Sequence, residues 1–113
     1  MRTKFFKHTI DWGFDTPETY KLYLAAHTYA GNNTLAVIAM VREDGYDEDF
    51  GTVTVNLPSG EADGTHAYID TNNCPWAEQM LIDNGFAKPT GKYGISGFCT
   101  YPLYEFDLTK FNK

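Results

Sequence analysis

The side chains of this sequence that could do chemistry centre on the thiol of Cys74. This residue follows the turn-forming run Asp-Thr-Asn-Asn and precedes a proline, so it would lie at the start of a helix. A thiol at a helix N-terminus has a lowered pKa, and with His66 and Asp70 it would make a Cys-His-Asp nucleophile set. However, His66 and Asp70 are separated along one predicted strand by roughly 13 Å. Asp70 therefore cannot orient His66, and no catalytic residue is assigned.

The turn around Cys74 has a structural explanation. Asp and Asn side chains bond nearby backbone amides and thereby shape a strand-to-helix turn. Proline at the first helical position needs no partner for an N–H group, and glycine commonly ends a helix, here at Gly85. We therefore assign structural roles in the turn and the helix start to Asp70, Asn72, Asn73 and Pro75.

Two other patterns of reactive or ligand-binding residues are incomplete. Ser96 lies between glycines, but a nucleophile elbow needs glycine at position 98, where this chain has Phe98, and a helix after the serine. We expect residues 88–97 to form a glycine-rich loop with positive-φ turns or a backbone anion nest. The three histidines are scattered and no Cys-x-x-Cys occurs, so we predict neither a metal site nor a cofactor.

The segment from residue 43 to residue 49 contains five carboxylates around the turn signal Asp44-Gly45. It lacks the spacing and the final glutamate of an EF-hand, so calcium binding is not predicted. Carboxylates beside an aromatic ring suit a basic partner surface, where charge steers the encounter and the ring anchors it. We predict a loop at a hairpin tip whose binding residues are Glu43, Asp44, Tyr46, Asp47, Glu48 and Asp49. The alternative is an ordinary solvated turn.

Length and composition indicate a single domain over residues 1–113. The net charge of −6 argues against non-specific nucleic-acid binding and against docking on anionic lipid, and it permits a basic partner. No apolar run has the length of a signal-peptide core or a membrane span. We therefore expect a cytoplasmic protein without membrane contact, in which Cys74 and Cys99 are free thiols. A disulfide between them would require an oxidising environment.

The hydrophobic pattern predicts an α+β fold, with an antiparallel sheet of about five strands and one main helix packed on it. Residues 16–30 fit a strand but also a helix that begins with Thr16-Pro17. A helix over residues 75–84 would bury one face that includes Trp76 and Met80. Pro102 predicts an edge or a bulge in the last strand. The predicted strands are residues 3–10, 16–30, 35–41, 52–57, 66–70 and 99–108.

Three segments carry a resemblance to a known family. They are Val-Asn-Leu at residues 55–57, Ala-Tyr-Ile-Asp-Thr-Asn-Asn-Cys-Pro-Trp-Ala-Glu at 67–78, and Ser-Gly-Phe-Cys-Thr-Tyr-Pro-Leu-Tyr-Glu-Phe at 96–106. Over roughly residues 20–107 the chain resembles a domain-of-unknown-function family (domain of unknown function 4313). The resemblance implies a small cytoplasmic accessory protein from conjugative elements of gut bacteria, and it supplies no activity. Residues 1–15 lie outside it.

The sequence thus favours a non-enzymatic protein-binding module that contacts an unknown protein with a basic surface. The resemblance places such a module beside host defence or the transfer machinery of its element. One alternative is a small thiol-dependent enzyme using Cys74 or Cys99. Another is a single-strand nucleic-acid binder that stacks bases on sheet aromatics, which the net charge disfavours.

Overall fold

Two four-stranded antiparallel sheets and one short helix make up the fold of residues 1–58 and 60–112, which a computed structural model describes. The first sheet has the order β1-β2-β3-β4 and the second has the order β5-β6-β8-β7. The α+β class is confirmed, with eight strands in place of about five. The elements are β1 Phe6–Ile10, β2 Glu18–Thr28, β3 Leu35–Glu43, β4 Tyr46–Thr52, β5 Thr54–Val55, β6 His66–Ile69, α1 Ala77–Asp83, β7 Ala87–Ser96, β8 Cys99–Phe106 and a 3-10 helix Leu108–Phe111.

Strand β2 resolves the ambiguity of residues 16–30 in favour of strand. Its side chains alternate, so Leu22 and Leu24 are fully buried on the face turned to the core. They pair across the ladder with Val41 and Ala39 of β3, whose alternate residues face the same way. A strand with one buried face is fixed in register, because a one-residue slip would expose all of these side chains.

The core lies between the two sheets and is closed by α1. Trp76, Met80 and Leu81 are buried in it, which confirms the predicted packing face, whereas Ile82 is exposed. The helix begins at Ala77, two residues later than predicted, so Pro75 precedes it. At its other end Gly85 has a φ of 68°, and the amides of residues 85 and 86 donate to the carbonyls of residues 82 and 81. This is a Schellman cap, as the glycine predicted.

The prediction of one continuous strand over residues 52–57 is wrong. Strand β4 ends at Thr52, and β5 covers only Thr54–Val55. The chain passes from the first sheet to the second at Val53, whose amide donates to the carbonyl of Val37 in β3. Both Val53 and Thr54 are buried, because this segment lies between the sheets and has no solvent face. The Thr54 hydroxyl accepts a hydrogen bond from the Val37 amide and so stays satisfied in the interior.

Two segments predicted as loops are edge strands. Most of the acidic segment forms β4, which follows a tight turn at Asp44 and Gly45 with φ values of 52° and 82°. The glycine-rich segment forms β7, whose ladder with β8 is irregular between Pro89 and Tyr93. In both cases the neighbouring strand supplies the hydrogen-bond partners, and this overrides the weak strand propensity of Asp, Glu, Gly and Pro.

Pro102 lies in β8, which is an inner strand of its sheet rather than an edge. The ladder between β6 and β8 ends at the pair Tyr68–Leu103. Pro102 is the next residue of β8, so the ladder stops before it would need an N–H group from the proline. The carbonyl of Ile69 instead accepts a hydrogen bond from the amide of Thr71. The proline is therefore tolerated because the strand has no partner on that side there.

A second, smaller cluster covers the other face of the second sheet. Leu57, Tyr68, Tyr101 and Leu103 are buried together there. The Tyr68 hydroxyl accepts a hydrogen bond from the Glu61 amide, which holds the preceding loop against the sheet. This cluster gives the sheet a buried outer face over part of its length.

Candidate functional site

The structure does not assemble a thiol-dependent site from Cys74, His66 and Asp70. Cys74 is buried and its Sγ donates a weak hydrogen bond to the Thr52 carbonyl at 3.4 Å. Burial, with a smaller effect of the Asp70 charge, raises the pKa of this thiol to about 11. His66 Nδ1 lies 3.0 Å from Asp63 and its Nε2 lies 3.6 Å from Glu105. The thiol is thus protonated at neutral pH, the opposite of what a nucleophile requires.

Asp70 and Asn73 bond each other within the turn before α1, whereas Pro75 precedes the helix and does not hold its first position. Asp70 Oδ1 accepts from the Asn73 amide and its Oδ2 accepts from the Asn73 side chain at 2.9 Å. The Asp70 carbonyl accepts from the Cys74 amide at 2.8 Å. Asn72 and Pro75 are exposed beside this turn. These contacts orient the start of α1 and point to no ligand.

We expect the two thiols to differ sharply in reactivity. Cys99 is half-buried in β8, whereas Cys74 is buried with its Sγ beside Gly51. Titration of the native protein at pH 8 with a chromogenic disulfide reagent should label one thiol, and mass mapping should place the label on Cys99. The second thiol should react only in denaturant. Rapid native labelling of Cys74 would contradict the burial of its thiol.

The acidic residues predicted as a binding loop stand on the β3–β4 hairpin. Glu43 pairs with Tyr46 across the turn, and Glu48 and Asp49 pair with Val41 and Met40. The carboxylates therefore alternate between the two faces of an edge strand. Tyr46 is 74 % exposed. Within the residues that the structure describes, four of the carboxylates form no salt bridge, namely those of Glu43, Asp44, Glu48 and Asp49.

Asp47 differs from the other carboxylates of the hairpin, because it is held by three contacts. Its Oδ1 lies 2.6 Å from Arg42 Nε, and its Oδ2 accepts from Arg42 Nη2 at 3.1 Å and from the Tyr23 hydroxyl at 2.9 Å. The hydrogen bond from Arg42 is the main reason that the pKa of Asp47 is lowered. The bidentate pair connects β4 to β3, and the Tyr23 hydroxyl connects β4 to β2, so together they brace the hairpin.

Basic side chains gather on the outer face of the first sheet. Arg2, Lys21 and Arg42 carry their charges 5.2, 4.8 and 4.7 Å from the centre of the Phe5 ring. Phe5 in turn contacts the ring of Tyr23 edge-on at 5.2 Å, and Tyr23 is buried. The rings are covered by the chain's own cations, so they offer no free face on which a base could stack.

The β7–β8 hairpin carries exposed apolar side chains that the sequence interpretation missed. Tyr93 and Ile95 are 64 % and 74 % exposed, and Phe98 at the turn is fully exposed. The turn has two residues, Gly97 and Phe98, with a φ of 61° at the glycine. A Gly-X pair between two alternating segments is a hairpin signal that could have revealed this strand.

The fold and these surfaces define a small α+β protein of two packed sheets. Its candidate contact surfaces lie on the β3–β4 and β7–β8 hairpins. The model of a protein family described as "Domain of unknown function (DUF4313)" matches residues 23–113, and the chain belongs to this family. The match begins inside β2, so β1 lies outside it. No curated protein and no solved structure matches the chain.

Two further properties bear on ligands and membranes. In the described part of the chain, no group of His, Cys, Asp and Glu is arranged to hold a metal ion. Over the same residues, no helix combines the length and the apolar character that crossing a membrane requires.

Proposed function

We propose that this protein is a non-enzymatic protein-binding module that meets a basic surface with its β3–β4 hairpin. The observation that carries the proposal is the exposed ring of Tyr46 among carboxylates that have no basic partner in the described residues. Four like charges held close together raise the free energy of the folded chain slightly, and a basic partner would relieve that cost. An aromatic ring at the centre of such a patch is a typical anchor.

The bracing of Asp47 supports a preformed contact surface. Because Arg42 and Tyr23 hold this carboxylate, the hairpin keeps its shape before a partner arrives. A preorganised surface loses little conformational entropy on binding. The carboxylates on both faces of β4 also oppose pairing with another strand, so a partner would contact side chains rather than the backbone edge.

The two alternatives draw less support. A thiol enzyme would need an ionised cysteine beside a histidine, whereas Cys74 is buried with a raised pKa. A single-strand nucleic-acid binder would need free aromatic faces beside the basic residues, whereas Tyr23 is buried under them. The cationic group around Phe5 remains the specific observation in favour of this second alternative.

The cellular setting of the proposal follows from the resemblance of the turn around Cys74 and the β7–β8 hairpin to proteins of conjugative elements. We place the module in the cytoplasm, where it would modulate host defence or the element's own transfer. A basic partner surface that normally holds nucleic acid would suit the acidic hairpin.

The test compares two variants of equal charge. In one, Glu48→Gln and Asp49→Asn neutralise the hairpin. In the other, Asp15→Asn and Asp83→Asn remove two charges elsewhere, and Asp47 is kept in both because it braces the hairpin. A partner is first identified by affinity capture with the unmodified protein from the native host. The hairpin variant should then associate with it about tenfold more slowly at low salt, because electrostatic steering is lost.

The control variant should associate at close to the normal rate, and the difference between the variants should disappear at high salt, where charges are screened. Equal association rates for both variants at low salt would reject the hairpin as the contact surface. A Tyr46→Ala variant with an unchanged dissociation rate would reject the ring as an anchor.

A further inference from the structure

The two long edge strands of the molecule, β4 and β7, differ in whether another strand could pair with them. Strand β4 presents carboxylates on both faces, which is a known protection against edge-to-edge pairing. Strand β7 is the open edge of the second sheet, and its segment Tyr93-Gly-Ile-Ser96 contains no charged residue. The charge next to it, on Lys92, is paired with Glu61 at 3.1 Å. The edge of β4 is thus protected by charge, whereas the segment from Tyr93 to Ser96 of β7 is not.

The backbone of this segment is arranged for pairing. Ser96 and Cys99 close a two-residue turn, so they form a hydrogen-bonded pair, and the pairs then alternate along the ladder. The pairs Ile95–Thr100 and Tyr93–Pro102 are therefore of the non-hydrogen-bonded kind. The N–H and C=O groups of Tyr93 and Ile95 consequently point away from β8, towards the open edge.

We propose that β7 pairs antiparallel with β7 of a second copy of this chain, with Gly94 opposite Gly94 of that copy. This inference goes beyond the proposed partner-binding role and uses a different surface. In this register Tyr93 of each copy faces Ile95 of the other, and all four outward backbone groups of each copy find a partner. The second sheet of one copy and the second sheet of the other then form one continuous eight-stranded sheet across a two-fold axis.

Side chains and charge support the same register. Tyr93 and Ile95 lie on one face of β7, and a two-fold axis perpendicular to the sheet keeps them on one face in both copies. Each exposed tyrosine would then meet an exposed isoleucine, and an aromatic ring against a β-branched side chain is a favourable cross-strand pair. No like charges stand opposite each other in the segment, although each copy carries a net charge of −6.

The first test is the mass of the protein in solution by sedimentation equilibrium from about 10 µM to 1 mM, a range suited to a short interface. The mass should rise towards that of a dimer with concentration. Ile95→Lys places a charge in each cross-strand pair and should raise the dissociation constant by at least about tenfold. The matched control Ile82→Lys, on the exposed side of α1, should leave it unchanged. A monomer at every concentration would overturn the proposal.

The second test fixes the register and does not depend on the lysine variant. In a Cys99→Ser background, chains with Tyr93→Cys are mixed with chains with Ile95→Cys under mild oxidation. The facing Cα atoms would be about 5.5 Å apart, within disulfide reach, whereas the two copies of Ile95 would be roughly 8.5 Å apart. Cross-links between unlike chains should exceed those between like chains at least about tenfold. Equal or reversed yields would overturn this register.

Discussion

Replacing Phe111 by alanine is expected to lower the free energy of unfolding by about 3–5 kcal/mol. Phe111 is fully buried, and its ring lies 6.1 Å from that of Phe86 and 6.4 Å from that of Phe106. Its carbonyl also accepts a hydrogen bond from the Arg2 amide, which fixes the surrounding backbone. Because the surroundings of a deleted core side chain relax only partly, the substitution would leave a cavity as well as lose apolar burial. Urea unfolding followed by the fluorescence of buried Trp76 measures the change.

The same substitution at Phe98 is the matched control. This ring is fully exposed at the β7–β8 turn, so Phe98→Ala should change the stability of the monomer by no more than about 0.5 kcal/mol. Measurement at low micromolar concentration keeps self-association out of the comparison. Similar losses from both substitutions would mean that the 3-10 helix does not contribute Phe111 to the core.

Replacing Gly94 by alanine is the second change with a large expected effect. A Cβ atom there would lie 2.6 Å from Leu57 Cδ1 and 2.7 Å from Tyr68 Cε1. The leucine can rotate, but Tyr68 is buried and its hydroxyl is held by the Glu61 amide. The strand must shift away from the ring, so we expect a loss of about 1–3 kcal/mol in the free energy of unfolding. Urea unfolding of the purified variant measures it.

Gly64→Ala serves as the control for this prediction. No atom lies within 4 Å of a Cβ built at Gly64, and its backbone is not in the left-handed region. Alanine there should leave stability unchanged or raise it by up to about 1 kcal/mol, because it restricts the unfolded chain. If Gly94→Ala proved as stable as Gly64→Ala, the smaller cluster would be looser than described.

The sequence predicts those parts of the fold whose pattern has a single physical meaning. The apolar run of β3 indicated a buried strand, and the periodicity from Trp76 to Leu81 indicated the helix face, whereas the pattern of residues 16–30 fitted a helix as well as the strand β2. Gly85 predicted the helix end because its positive φ suits glycine. In each case the burial of one face is encoded within a few neighbouring residues.

The edge strands could not be predicted in the same way. The carboxylates of β4 and the glycines and proline of β7 read locally as loop residues. Their strand conformation depends on hydrogen bonds to β3 and β8, which become visible only when the neighbours are placed. The candidate surfaces were affected likewise: the sequence indicated the acidic group, but not the brace at Asp47, which comes from β2 and β3.

The two backbone bridges of Arg2 have a consequence for when the edge of the first sheet can form during synthesis of the chain. Arg2 pairs with Ala25 of β2 on one side and with Asn112 on the other, so the edge beside β2 is finished by residues from both ends of the described chain. A bridge between residues so far apart in the sequence closes a long loop, and its cost in chain entropy grows with the length of that loop. During synthesis, the bridge between Arg2 and Asn112 therefore cannot form until almost all of the described chain has been made, although Ala25 is available to Arg2 much earlier.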